Sequence, residues 1–487
     1  MRIRHQPGWK RVNMATYTHQ DFASETPPPR IMGTEMEYMV PAEDGSSAVV
    51  ASIVMMGTLR FGTKPEQQAL ANGGRLYKDY GDLIEYATPE CLGPEQLVLA
   101  EMAGERIVKT CARLVMGAQH ALYRRTGSYD NSGLKTVGYH QNLLTPPRLT
   151  DKRQARDAHV IGAYTASRVI WSGAGMLSSH YAFSQKAPDI YNAPPLDNYG
   201  SNEMLCIGGY GTRTTSQQKP LLSWSRRGTT NGMDAHAADW TRLELRHADA
   251  AHSPWARFMG IATASLVLRL LEHRPMFDQD VWDDVTLRNL GSSVLEMSNN
   301  TSMDRSYELA SGKRTTVIAL QKRLAEMSLE LADRVSLPED ELFAAQEWVR
   351  VCDDLSVHVS PEDVAESDLR HRVEWAGRLH TLNRRQQRLG INGRVTRKNP
   401  HVAAVDLMWD RIHPIAPAEK YWRLSQADFY EDNDKEIDHL MRTPPRHTRA
   451  HVRGELLRNG FTVSSGSWDS VKSPSGHTQA LPDPYAH

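Results

Sequence analysis

A chain of 487 residues is too long for one small core; it points to two to four structural units and needs no covalent staple. Hydrophobic residues at 40% and charged residues at 24% exclude a disordered or fibrous protein. The formal net charge of −1 gives no overall attraction to nucleic acid, so no nucleic-acid partner is expected.

Residues 1–29, ending in ThrProProPro before Arg30, read as a loose leader. RIMGTEMEYMV at Arg30–Val40 alternates as a strand, with Glu35 and Glu37 on one face and Thr34, Met36 and Tyr38 on the other. Arg75–Thr88 reads as two short strands broken near Gly81 and Asp82, with Arg75, Tyr77 and Asp79 sharing a face. A long helix is expected from Pro94 to Arg125, because Leu97, Ile107, Val108, Cys111 and Leu114 recur at helical spacing. Val137–Leu144 reads as a strand, Ala163–Leu177 and Trp255–His273 as helices, the second apolar enough to be buried. The Gly-, Asn-, Pro- and Ser-rich stretch 186–235 predicts long loops bordering an active site. From 316 to 388 the pattern is helical with solvated charged faces. A change of texture near 400 marks a body over 30–400 and a small C-terminal domain over 401–487.

The four cysteines (Cys91, Cys111, Cys206 and Cys352) form no CxxC pair and read as buried thiols, not a disulfide framework or zinc site. No run approaches the ~20 apolar residues of a membrane span. The first fourteen residues are basic but carry no apolar segment, so they make no signal peptide, and a cytoplasmic protein is expected.

Acidic residues are densest at Gly33–Tyr38, joined by Asp79, Glu85 and Glu90. Strand alternation puts Glu35 and Glu37 side by side. Like charges so placed raise each other's pKa, and a hard cation such as magnesium, which takes oxygen ligands and holds phosphates, relieves that cost. An isolated E-x-E also suits exposed carboxylates with Lys or Arg partners.

Resemblance along the chain decides between the two. GTEMEY at 33–38, NGGRLYKDYGDLIEYATPEC at 72–91, GYHQNLL at 138–144 and PPRHTRAHVRGELLRNGFTVSSGSWDSV at 444–471 resemble, in order and spacing, the Pup ligase and Pup deamidase/depupylase family. The resemblance implies an α+β, glutamine synthetase-like fold: a curved antiparallel sheet with flanking helices and a small C-terminal domain. It implies ATP, or ADP plus phosphate, with Mg2+ as cofactors. The implied partner is a Pup-like small protein and its conjugates, with a link to a bacterial proteasome system. By the same resemblance Asp79 is the catalytic aspartate, deprotonating a lysine in a ligase, or acting as nucleophile or water activator in a hydrolase. Glu35, Glu37, Tyr77 and Glu85 face magnesium. Thr88, His140, Asn142, Arg449, Arg453 and Trp468 bind the nucleotide, guanidiniums suiting phosphate by their fixed charge and forked donors.

Three departures remove charge where the family carries it: Gln141 within His140–Asn142, Met233, and Pro254 five residues after Asp249. GTEMEY and SWDSV lean to the depupylase branch, so the expected reaction is cleavage of the side-chain amide or isopeptide bond at the C-terminal Glu/Gln of a Pup-like protein; the short span of about 40 residues between the first strand and ArgLeuTyr favours the alternative, a Pup–protein ligase. A catalytically silent nucleotide-binding member is the third reading. GlyGlyTyrGly at 208–211 lacks the residues of a phosphate cradle, and His236, His247 and His252 match no zinc spacing. No GxSxG elbow appears.

Overall fold

The computed structural model describes residues 17–41, 46–64, 68–79, 81–118, 120–130, 133–146, 151–178, 180–187, 205–207, 221–225, 240–299, 303–463, 468–481 and 483–485.

Alternation builds the first strand. In β1 (Ile31–Tyr38) Thr34, Met36 and Tyr38 are buried while Glu35 and Glu37 are half-buried, as in a sheet whose two faces meet different surroundings. β2 (Arg75–Asp79) and β3 (Leu83–Ala87) form the expected hairpin. Its turn holds Gly81 at φ 79° and Asp82 at φ 61°, a left-handed conformation that glycine takes freely and aspartate tolerates. β4 (Cys91–Leu92), β5 (Tyr139–Thr145), β6 (Leu205–Ile207), β7 (Leu222–Ser225) and β8 (Thr241–Leu245) complete the sheet. Its order is β6-β7-β8-β5-β1-β3-β2, with β4 also on β1. All pairs are antiparallel except β6 with β7.

Helices cover one face: α1 (Ser46–Phe61), α2 (Pro94–Met116), α3 (Asp151–Ser167), α4 (Pro254–Glu272), α5 (Val317–Ala332), α6 (Glu339–Ser356), α7 (Glu374–Arg388), α8 (Pro400–Trp409) and α9 (Ala427–Leu440); α10 (Arg449–Arg458) instead packs against the Ala71–Gly73 turn beside the other face. α4 is buried along all 19 residues, as its continuous apolar sequence predicts. Its two arginines are paired inside: Arg257 Nη2 with Glu105 at 2.7 Å and Arg269 Nε with Glu341 at 2.9 Å.

Four expectations change. α2 stops at Met116, short of Arg125, because Gly117 turns to φ 59°. The helix expected at 163–177 runs instead from Asp151 to Ser167 with one further turn, Val169–Ser172, and Met176–Leu177 is extended beyond Gly175 at φ 72°. The stretch 186–235 contains β6 and β7 as well as loop sequence, and most of it lies outside the described residues. The described part of the leader, 17–29, is exposed at Thr18, Gln20, Ala23, Glu25 and Thr26 but anchored elsewhere: Phe22 is fully buried under the Arg30 and Arg269 guanidiniums, and Tyr485 Oη donates to Pro29 O at 3.0 Å. Val402, Trp409, Trp422, Phe429 and Leu440 join the large core with Trp171, Trp255 and Trp348, so α8 and α9 pack with the body. Cys91, Cys111 and Cys352 are buried free thiols. Among the described residues no helix is long and apolar enough to cross a membrane.

Asp340 carries a pH dependence. It sits at the start of α6 against Gly93, where an added Cβ would meet its Oδ2 at 2.7 Å, and its Oδ1 accepts the Glu341 N–H at 2.8 Å. Burial and then the neighbouring Glu341 push its carboxyl up to about 7. The unfolded chain ionises it from about pH 4, so native stability falls as pH rises from there through about 7. Asp340→Asn keeps the acceptor and should flatten that decline, gaining roughly 1–3 kcal/mol over wild type at pH 8, the full ~1.4 kcal/mol per unit being discounted for solvent. Urea midpoints from pH 4 to 8 test this; parallel curves for the two proteins would refute it.

Candidate active site

Strand register assembles the site. Glu35 of β1 stands opposite Ala87 of β3 and His140 of β5, and Ala87 opposite Arg75 of β2. One step along, Glu37 meets Glu85, and Glu85 meets Tyr77. In the other direction Gly33 meets Asn142, and Asn142 meets Glu244 of β8. Since paired residues share a face and side chains alternate, all these groups project from the face opposite the helices.

Two clusters result. Carboxylate oxygens of Glu37, Asp79 and Glu85 lie within 4.8 Å of one another, close enough for one cation. Glu37 also accepts the Gly138 N–H. Burial, then the charge of Glu35, pushes the Glu85 carboxyl up to about 9. Burial and the charge of Glu85 likewise hold the Tyr77 hydroxyl protonated. Glu35, His140 and Glu244 form the second group within 4.8 Å. His140 Nδ1 lies 3.2 Å from Glu35 Oε2 and 3.5 Å from Glu244 Oε1. Burial raises the Glu35 carboxyl, but the His140 contact and the Arg242 and Arg246 charges win and keep it below the usual range. The structure thus puts His140, expected with the nucleotide, into a ligand group.

Beside these clusters a pocket is lined by Gly33, Thr88, Asn142, Arg242, Arg449 and Trp468, among others. Thr88 is buried and its Oγ1 accepts the Thr34 N–H at 2.9 Å. Glu90, grouped by sequence with the acid cluster, is turned away from it onto two arginines. Arg449 Nε donates to its Oε1 at 2.9 Å, and Arg453 donates to Oε1 at 3.0 Å and Oε2 at 2.5 Å. Burial opposes ionisation of Glu90, yet Arg453 and Arg449 hold its carboxyl down at about 2. The other Nη donors of Arg453 go to Trp468 O at 2.8 Å and Gly73 O at 2.7 Å. Its four terminal N–H groups are therefore committed within the protein, which makes Arg453 a clamp for the C-terminal segment, whereas Arg449 reaches the pocket wall. The Arg75 guanidinium stacks 4.4 Å from the Trp468 ring centroid. Burial and the neighbouring Arg453 lower its pKa to about 10.

Several polar atoms here await partners. Asn142 Oδ1, Arg242 Nε and Arg75 Nη2 are buried without a hydrogen bond among the described residues. Buried polar atoms are normally satisfied, so this face suits a polar ligand, and its carboxylate oxygens suit a hard divalent cation.

The departures read differently in three dimensions. Gln141 points to the helix face, is 3% exposed and accepts from Arg168 Nη1 at 2.9 Å, so its neutral amide removes no ligand from the site. The expectation of lost charge fails there because adjacent strand residues face opposite sides. Pro254 opens α4 behind the sheet, where proline is tolerated. An acid is present there all the same: Glu374 Oε2 accepts the N–H groups of His252 at 3.2 Å and Ser253 at 2.7 Å. Met233, His236 and residues 208–211 lie outside the described residues. His247 is buried, and burial with Arg168 pushes its imidazole down to about 3, so it is neutral; His252 lies near Asp410. Sequence reasoning missed Arg75 as a site-facing charge, and Arg242, Glu244 and Arg246 altogether. The available signal was the alternation in TRLELR, which repeats the E-x-E logic of β1.

Comparison with known proteins agrees with this architecture. The family model described as Pup-ligase protein matches residues 10–472. The Pup--protein ligase of Acidimicrobium ferrooxidans is 28% identical, covering 94% of this chain and 96% of its own length. That of Jonesia denitrificans is 26% identical over the same shares. Among solved structures, the ligase PafA in complex with the prokaryotic ubiquitin-like protein Pup superposes with a TM-score of 0.75 at 20% identity, covering 94% of this chain and 90% of that one. PafA in complex with ADP gives 0.68, at 86% of each chain. The α+β fold with an antiparallel sheet expected from the sequence stands, and the chain belongs to the Pup-ligase protein family.

Proposed function

We propose that this chain is an ATP- and magnesium-dependent carboxylate–amine ligase that joins the side-chain carboxyl of the C-terminal glutamate of a Pup-class protein to a lysine amine. The observation that carries the proposal is the Glu37–Asp79–Glu85 triad, with carboxylate oxygens within 4.8 Å of one another, on the same sheet face as the pocket walled by Thr88, Arg449 and Trp468. The ligase direction is favoured over the depupylase lean of GTEMEY and SWDSV because the relatives matched along nearly the whole chain are Pup--protein ligases. The short span from β1 to Arg75 agrees.

When bound, ATP would supply activation of the carboxyl as a mixed anhydride with phosphate, and magnesium the positive charge that phosphoryl transfer needs. Glu37, Asp79 and Glu85 would hold the cation, with Tyr77 donating to Glu85 and keeping its carboxylate oriented. Asp79, half-buried at the end of β2, also faces solvent and is placed to take the proton of an incoming lysine. Thr88, Asn142, Arg449 and Trp468 would line the nucleotide, and Arg453 would anchor the segment carrying Trp468. The C-terminal unit, expected from residue 401, is read here as the part after α9, since α8 and α9 share the large core. A cytoplasmic location follows from the use of ATP.

Purified protein with ATP, Mg2+, a Pup-class protein ending in glutamate and a lysine-bearing acceptor should yield a conjugate of the summed mass, seen by mass spectrometry. Release of acceptor from a preformed conjugate, with no conjugation, would replace the ligase by the hydrolase reading. If neither occurs, the silent-member reading stands.

A further inference from the structure

The two acid clusters differ in what already neutralises them. Among the described residues, no lysine, arginine or histidine is ion-paired with Glu37, Asp79 or Glu85, and the charges acting on Glu85 are those of other acids. At Glu244 both carboxylate oxygens are taken. Oε1 accepts from Arg246 Nε at 2.7 Å and Oε2 from Arg242 Nη2 at 3.2 Å. A second Arg242 nitrogen lies 3.7 Å from Glu35 Oε1. Among the described residues, two carboxylates therefore face two guanidiniums around His140.

We propose that Arg242 and Arg246 close this second cation position: the protein alone takes up one divalent cation, at Glu37–Asp79–Glu85, and a second only after a phosphate-class anion draws the guanidiniums off Glu244. A guanidinium cannot yield by losing its proton, so a cation entering here must displace two fixed positive charges. Magnesium also surrenders its waters reluctantly and gains little from carboxylate oxygens already bonded. An anion changes the balance, because phosphate accepts the arginine fork as well as a carboxylate does. Arg242 lines the pocket and its Nε has no partner among the described residues, so an anion entering there meets an available donor. The inference rests on the proposed metal role of the first cluster.

Mn2+ serves as the probe, with the free ion counted by electron paramagnetic resonance against full-length, chelator-stripped protein. Wild type should bind one Mn2+ per chain alone and two with saturating orthophosphate. Arg246→Gln should bind two without phosphate, and Arg246→Gln/Glu244→Gln should return to one, identifying the position that opened. Unchanged affinity at the first position reports that each variant is folded. Two equivalents on wild type without phosphate, or one on Arg246→Gln, would overturn the arginine closure and leave the ligase reading intact. No binding to any form would instead sink the metal assignment on which both rest.

Discussion

Asp79→Asn is expected to lower conjugate formation by about 100- to 10,000-fold at saturating ATP and metal, the range for a positioned acid–base group. The substitution keeps size and hydrogen-bonding shape, and the strand pairing of Asp79 with Leu83 uses backbone atoms only. What is lost is a carboxylate that can accept a proton or bind a cation. The two roles separate by titration. If Asp79 acts only as a ligand, excess Mg2+ restores the rate, because Glu37 and Glu85 still offer oxygens within 4.8 Å. If it takes the lysine proton, no metal concentration restores it, and activity returns partly as pH rises and more amine is free of its proton. The second behaviour is expected, since Asp79 ends its strand beside an exposed turn while Glu85 is buried between neighbouring strands. An Asp79→Asn protein as active as wild type would remove Asp79 from the mechanism.

Glu90→Ala should cost about 3–5 kcal/mol of stability, the range for removing one partner of a buried ion pair. Arg453 is 1% exposed and Arg449 2%, and Glu90 is the carboxylate that both contact. Without it the Arg453 guanidinium remains buried, with the Arg75 charge alongside. The carbonyl partners of Arg453 at Gly73 and Trp468 cannot replace a full negative charge. Glu90→Gln should fall between the two, since its amide oxygen still accepts. The urea midpoint of the full-length protein measures the loss, and a shift worth less than about 1 kcal/mol would mean that solvent reaches these arginines. Nucleotide affinity should drop in parallel, because the same clamp holds Trp468 against the pocket.

Much of the fold and part of the site were legible in the sequence, for reasons that particular residues make plain. β1 and the β2–β3 hairpin were readable because period-two alternation is local and because Gly81–Asp82 suits a left-handed turn. Burial of α4 was readable because its apolar run leaves no polar stripe for solvent. The end of α2 at Met116 was not, since the apolar spacing continues past Gly117 while the backbone does not. Resemblance along ordered motifs pointed to the family before any coordinate, and to Glu35, Glu37, Asp79 and Glu85, which the sheet then brings to one face. The family pattern was less informative about direction, where whole-length relatives favour the ligase over the depupylase features of two short motifs.

By itself, the sequence determined the side-chain types, their alternation, and hence which acids could share a face. Only the tertiary structure decided which charges meet. Glu90 went to Arg449 and Arg453, some 360 positions away, Glu244 to within 4.8 Å of Glu35 and His140, and Gln141 to Arg168 behind the sheet. The physical reason is that pairing energy falls with distance in space, and distance in space is set by strand register and helix packing, neither of which is written in local periodicity.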